Sequence, residues 1–126
     1  MNARFVAIGS ICAFLSVAFG AFGAHMLKDV LTPGNLTVFQ TGVLYQMMHS
    51  VGLIALGIAA GFMPGSKYLI RAGWFLLTGI VLFSGSLYVL SLTDIKILGA
   101  ITPFGGVSFL VGWVLVAVAA FRHKQK

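Results

Sequence analysis

The chain has 126 residues, of which 60% are hydrophobic and 8% charged, with a formal net charge of +6. Soluble domains carry about 25% charged residues, and so short a chain has too little interior to hide such an apolar excess, so a water-soluble globule is excluded and the bilayer is the solvent that fits. Nucleic acid is excluded as a partner: Arg4, Lys28, Lys67 with Arg71, Lys96, and Arg122 with Lys124 and Lys126 sit at segment ends, as topology signals and anionic-lipid contacts do, and form no extended face for a nucleic-acid backbone.

A transmembrane helix needs about 20 mostly apolar residues. Four stretches qualify, so the sequence predicts an all-α fold: a four-helix transmembrane bundle, one multi-pass domain over 1–126, with helices near 5–26, 33–63, 68–92 and 103–122.

The first span, Phe5 to Met26, holds no charge. Gly9, Ala13, Ser16, Gly20 and Ala24 recur every three or four residues and share one helix face. Lipid tails are as apolar as leucine, so helices associate by close packing, which small residues permit. Packing inside the bundle is the first expectation for this stripe, and a homo-oligomer or a membrane-protein partner the second. The basic start at Arg4 and the small residues Ala18, Gly20, Ala21 and Gly23 also suit a cleaved signal peptide, but the apolar run is long for one. Cys12, the one cysteine, excludes an intrachain disulfide and a cysteine metal site, leaving it a small apolar residue.

Thr32-Pro33 offers the second helix a hydroxyl N-cap and a proline at its first position. Within that helix, Gln46, His49 and Ser50 share a face with Gly42, Leu53 and Gly57, with Tyr45 one turn before His49. His49 lies about 24 Å along a helix that starts at Pro33, or about 9 Å deep if the membrane begins near Val43. Gly57 and Gly61 form a G-x-x-x-G pair for packing, and Pro64-Gly65-Ser66-Lys67 breaks the chain before the third span.

The third span carries a second polar stripe, Ser84, Tyr88 and Ser91. Ile97 to Ile101 is apolar and lies ahead of Thr102-Pro103. It is open to three arrangements: interfacial, re-entrant, or the start of a fourth helix kinked at Pro103. Thr102-Pro103 repeats the Thr32-Pro33 signal and predicts that both hairpins re-enter the membrane by one device.

Lysine and arginine number one, two and three at the N-terminus, middle loop and C-terminal tail, against Lys28 and Lys96 in the other two loops. The positive-inside rule then places both termini in the cytoplasm. Tyr68, Trp74 and Phe121 fall near the inner interface, where aromatic residues gather.

Ionisable residues inside spans are costly and invite a functional hypothesis. His25, Tyr45, Gln46, His49, Ser84, Tyr88 and Thr102 fall in the outer half of this topology and define a candidate polar pocket. The competing account is structural, since such side chains bond across helices at about 0.6 kcal/mol each. No nucleophile–base set, phosphate loop or metal-ligand spacing occurs, so no catalytic residue, metal or cofactor is expected, and haem on His25 and His49 ranks last.

Several segments carry a family likeness: Gly20-Ala21-Phe22-Gly23-Ala24-His25, Tyr45-Gln46-Met47-Met48-His49, Phe83-Ser84-Gly85-Ser86-Leu87-Tyr88, Leu98-Gly99-Ala100-Ile101-Thr102-Pro103 with Gly105-Gly106, and Gly112-Trp113. In this order, over nearly the whole chain, they resemble the uncharacterised family called domain of unknown function 423, or uncharacterised protein family 0382, whose eukaryotic relative is transmembrane protein 256. Met26 stands where that family often has glycine after the histidine. The resemblance implies a multi-pass bacterial plasma-membrane protein with no established activity, substrate or cofactor. The function expected is that of a non-enzymatic accessory or small-ligand-binding membrane protein. The alternative is an oligomeric proton- or solute-linked transporter using His49.

Overall fold

The computed structural model describes the backbone of residues 1–124 and side chains through His123; Lys126 and the Lys124 side chain, both counted above as basic tail signals, lie outside the described residues. Among those residues there is no strand. Four helical spans run Ala3–Leu27, Pro33–Ala59, Lys67–Thr93 and Lys96–His123, each long and apolar enough to cross a membrane. Their α-helical pieces are α1 (Ala3–Phe22), α2 (Pro33–Ala59), α3 (Lys67–Gly79), α4 (Gly85–Thr93) and α5 (Thr102–Lys124).

A helix start leaves amide groups without partners, which a side-chain oxygen can satisfy. Asn2 Oδ1 accepts from the Phe5 amide at 3.1 Å, Thr32 Oγ1 from Asn35 at 3.1 Å, and Ser66 Oγ from Leu69 at 3.3 Å. Pro33 follows its cap as the first residue of α2, as the sequence predicts. Thr102 departs from that pattern. It is already inside α5, and its hydroxyl pairs with Ser86 Oγ at 2.6 Å. The chain reaches α5 through a 3-10 helix, Lys96–Ala100, and a turn at Ile101, so this stretch is continuous with the fourth span. The two hairpins therefore re-enter by different devices.

α2 unwinds earlier than residue 63. The amides of Gly61 and Phe62 reach back to Ile58 and Ala59 at 3.0 and 2.9 Å, three-residue turns tighter than the α-helix. Gly65, with φ at 77°, then turns the chain in a left-handed conformation that costs glycine little.

Two π-helical turns, Gly23–Leu27 and Ile80–Ser84, interrupt the first and third spans. A π turn takes in an extra residue and rotates the following face. The small-residue stripe of the first span ends where the first π turn begins. Gly9 and Ser16 are buried, Ala13 and Gly20 half-buried, and Gly23 rather than Ala24 closes the stripe against Phe39, leaving Ala24 exposed.

That stripe faces α2. A Cβ placed on Gly9 would lie 2.8 Å from the Ser50 carbonyl, and one on Gly57 would lie 2.9 Å from the Asn2 carbonyl. The same holds for Gly61, where a Cβ would approach the Met1 nitrogen at 3.0 Å. Spans one and two thus pack at backbone distance, and these glycines are used inside the chain. Between the third and fourth spans, a Cβ on Gly105 would collide with the backbone nitrogen of Phe83. The apolar core lies among Phe5, Leu53, Leu56, Leu69, Leu76 and Phe109.

Burial runs opposite to that of a soluble protein. Ser50 and Ser84 are wholly buried, while Phe14 is 72% and Val17 63% exposed. Polar side chains within the spans turn inward beside the apolar core, and the outer surface is apolar, as hydrocarbon surroundings require.

Four alternating crossings bring Met1, the 57–71 turn and residues 119–123 to one end, called here the terminal end. Asn2 donates its amide to Gly57 there, and the Arg122 guanidinium sits 5.6 Å over the Tyr68 ring. The opposite, hairpin end holds the two remaining connections, joined by Asn35 Nδ2 donating to Asp94 Oδ1 at 3.5 Å.

Candidate functional site

A polar side chain inside hydrocarbon must find its partners in protein, because no water is there to supply them. The centre of α2 meets that demand with one helical turn. Gln46 Nε2 donates to the carbonyl of Cys12 on α1 at 2.8 Å. Its Oε1 accepts from the Tyr88 hydroxyl on α4 at 2.5 Å. One residue thereby ties the first three spans together.

His49, one turn further, reaches the fourth span. Trp113 Nε1 on α5 lies 3.0 Å from His49 Nε2, and His49 Nδ1 lies 2.8 Å from the Tyr45 carbonyl. An indole N–H only donates and a carbonyl only accepts. The ring proton is therefore on Nδ1, and the Nε2 lone pair is taken by the indole. Both nitrogens are occupied in the neutral ring. A second proton on Nε2 would oppose two donors, so the arrangement holds the imidazole without leaving a nitrogen for a metal, a haem iron or a substrate proton.

Aromatic rings seal the contacts. His49 stacks on Phe109 with centroids 3.5 Å apart and planes 11° from parallel. Tyr45 packs on Phe83 at 4.6 Å. The Tyr88 ring lies edge-on to Phe19 at 5.2 Å and tilted on Phe39 at 5.1 Å. It reaches Gln46 only because it passes over Gly42, where a Cβ would sit 2.8 Å from the ring.

Serines supply the remaining cross-links. Ser84, at the end of the second π turn, donates to the Gly42 carbonyl at 2.7 Å. Ser108 on α5 donates to the Phe75 carbonyl on α3 at 2.7 Å. Ser86 and Thr102 pair across the third and fourth spans. Ser50 and Ser91 instead bond within their own helices, to the carbonyls of Gln46 and Tyr88. Among the described residues, every buried side-chain nitrogen and oxygen has a hydrogen-bond partner.

Of the residues singled out from sequence, Tyr45, Gln46, His49, Ser84 and Tyr88 come together in mid-bundle. Thr102 joins Ser86 nearer the hairpin end. His25 stands apart, exposed in the first π turn. Among the described residues, no three His, Cys, Asp or Glu side chains are placed to hold a metal ion. Sequence reasoning missed the partners on α5: Trp113, Phe109 and Ser108. Their signal was present in the spacing of Gly105, Ser108 with Phe109, and Gly112 with Trp113, which repeats at three and four along one face.

A family model described as "Protein of unknown function (DUF423)" matches residues 19–106. The UPF0382 membrane protein YwdK of Bacillus subtilis (strain 168) is 48% identical over 119 residues, covering 94% of this chain and 97% of its own length. The UPF0382 membrane protein SH2409 of Staphylococcus haemolyticus is 46% identical over 118 residues, 94% of this chain and 95% of that protein. A relative in Staphylococcus saprophyticus, SSP2132, is 47% identical over a stretch of the same length, 118 residues. No solved structure matches the chain.

Proposed function

The chain belongs to the DUF423 family of UPF0382 membrane proteins, and on that premise we propose that it is a non-enzymatic protein of the bacterial plasma membrane, working by binding rather than by catalysis or transport. Both termini and the middle loop face the cytoplasm in this proposal. The bundle serves as a rigid support, accessory to a membrane partner or holding a small amphipathic ligand.

One observation carries it: a single turn of α2 commits Gln46 and His49 to all three other spans, with both histidine nitrogens occupied. A proton carrier must release one partner and take up another, and an acid–base catalyst needs a nitrogen that substrate can reach. His49 offers neither without breaking a cross-link. In this reading the polar residues of the candidate pocket act as ties between helices. The orientation is supported by the basic residues, which concentrate at the terminal end.

The test is His49→Phe in proteoliposomes and in cells. Binding alone predicts unchanged proton or solute flux and no loss of cellular phenotype while the protein stays folded. Flux that requires His49 would overturn it in favour of the transporter. For orientation, a membrane-impermeant amine reagent on intact cells is expected to label Lys28 and Lys96 and spare Lys67. The reverse pattern would invert the topology.

A further inference from the structure

At the terminal end, three cations share a cleft that no acidic side chain lines. Lys67, Arg71 and Arg122 line one cleft of about 470 Å³, floored by Met63, Tyr68 and Ala119. Ser66, whose hydroxyl caps α3, and His123 stand at its rim. The only two carboxylate side chains in the sequence are Asp29 and Asp94, in the connections at the opposite end. No acidic side chain is therefore available to these cations. The Arg122 guanidinium is held over the Tyr68 ring, which orients its N–H groups without consuming its charge.

A second groove of about 350 Å³ adjoins the first and shares Met63, Lys67 and Arg71 with it. It continues along Ala60, Leu69 and Ile70, between the end of α2 and the start of α3. The cationic cleft thus adjoins a groove with apolar residues along one side. A free anion would use only the cleft. A molecule with an anionic head and a hydrocarbon tail uses both.

We propose that this paired cleft is a binding site for an anionic phospholipid, with the headgroup phosphate among Lys67, Arg71 and Arg122 and an acyl chain along Ala60, Leu69 and Ile70. Arginine meets phosphate through two parallel N–H donors and lysine as a point charge. The cluster beside α3 also lies at a helix start, where the backbone favours negative charge. The site gives the binding reading above its ligand class and rests on that reading.

The experiment measures lipid retained by the purified full chain in native mass spectrometry. Equal mixtures of phosphatidylglycerol and phosphatidylcholine are supplied, with and without inorganic phosphate. The wild-type protein is expected to retain phosphatidylglycerol over phosphatidylcholine. Each juxtamembrane basic residue strengthens anionic-lipid binding several-fold, so Lys67→Gln with Arg122→Gln should lower retention about tenfold or more. Lys28→Gln with Lys96→Gln, which removes the same charge at the other end, should change it by less than about twofold. Equal retention of the two lipids, or equal loss in the two double variants, overturns the site. Displacement of phosphatidylglycerol by millimolar inorganic phosphate overturns the lipid as its occupant in favour of a soluble anion. The cations are exposed, and an unchanged near-ultraviolet circular dichroism spectrum verifies the fold. His49-dependent flux would defeat the binding reading without altering this selectivity, so the two failures separate.

Discussion

The middle of the bundle and its terminal end treat polarity in opposite ways. In the middle, Gln46, His49, Tyr88 and Trp113 use their hydrogen-bonding groups on one another, and no buried side-chain nitrogen or oxygen among the described residues lacks a partner. At the terminal end, Lys67, Arg71 and Arg122 face an open cleft with both carboxylate side chains at the far side of the molecule. A group that has found its partner inside the protein holds the structure; one without a partner is available to something else. Hydrocarbon enforces the first arrangement, since an unsatisfied group there costs several kcal/mol, and the interface permits the second.

That contrast can be broken by substitution, and the effects should fall in a definite order. Gly105→Val should be the most damaging, because its Cβ meets the backbone nitrogen of Phe83, which cannot turn aside. Overpacking of this kind costs about 3 kcal/mol or more, read as loss of the folded fraction on titration from mild detergent into SDS. Gln46→Leu comes next. It deletes two interhelical bonds and strands the Tyr88 hydroxyl, while the Cys12 carbonyl keeps the Ser16 hydroxyl, for about 1–3 kcal/mol in the same titration. A cost no larger than that of a surface change would mean that the turn of α2 does not hold the bundle.

His49→Phe should cost less, about 0.6 kcal/mol, since stacking on Phe109 survives and only one interhelical bond, to Trp113, is lost beside the bond to Tyr45 within α2. In a Trp74→Phe background its signature is a blue shift of Trp113 fluorescence. The smallest effect belongs to Lys67→Gln with Arg122→Gln, within about 0.5 kcal/mol of wild type, as for surface positions generally. A destabilisation matching that of Gln46→Leu would show that these cations are structural and erase the difference between the two regions.

How far the sequence discloses this depends on what sets each feature. The spans are legible because apolar length is a local property, and the hub on α2 because Gln46, His49 and Ser50 recur at helical spacing. The cap at Thr32 follows from Pro33 beside it. What is hidden depends on two helices at once. Trp113 becomes the partner of His49 only when α5 packs at the depth that Gly105 and Gly112 allow. Thr102 gives up capping because Ser86 lies across from it. The π turns at Gly23–Leu27 and Ile80–Ser84 rotate the faces that follow them, which no uniform period foretells. The cleft was hidden too: the basic residues read as topology signals and anionic-lipid contacts, and only the fold sets Arg122 beside Lys67 and Arg71.

Nitrogen NMR of the protein in bilayers tests most directly whether one turn of α2 binds the fourth span. The account predicts a His49 ring protonated at Nδ1 alone, with Nε2 correlated to a Trp113 indole hydrogen protected from exchange with water. A ring carrying its proton on Nε2, or an indole hydrogen that exchanges freely, would contradict it.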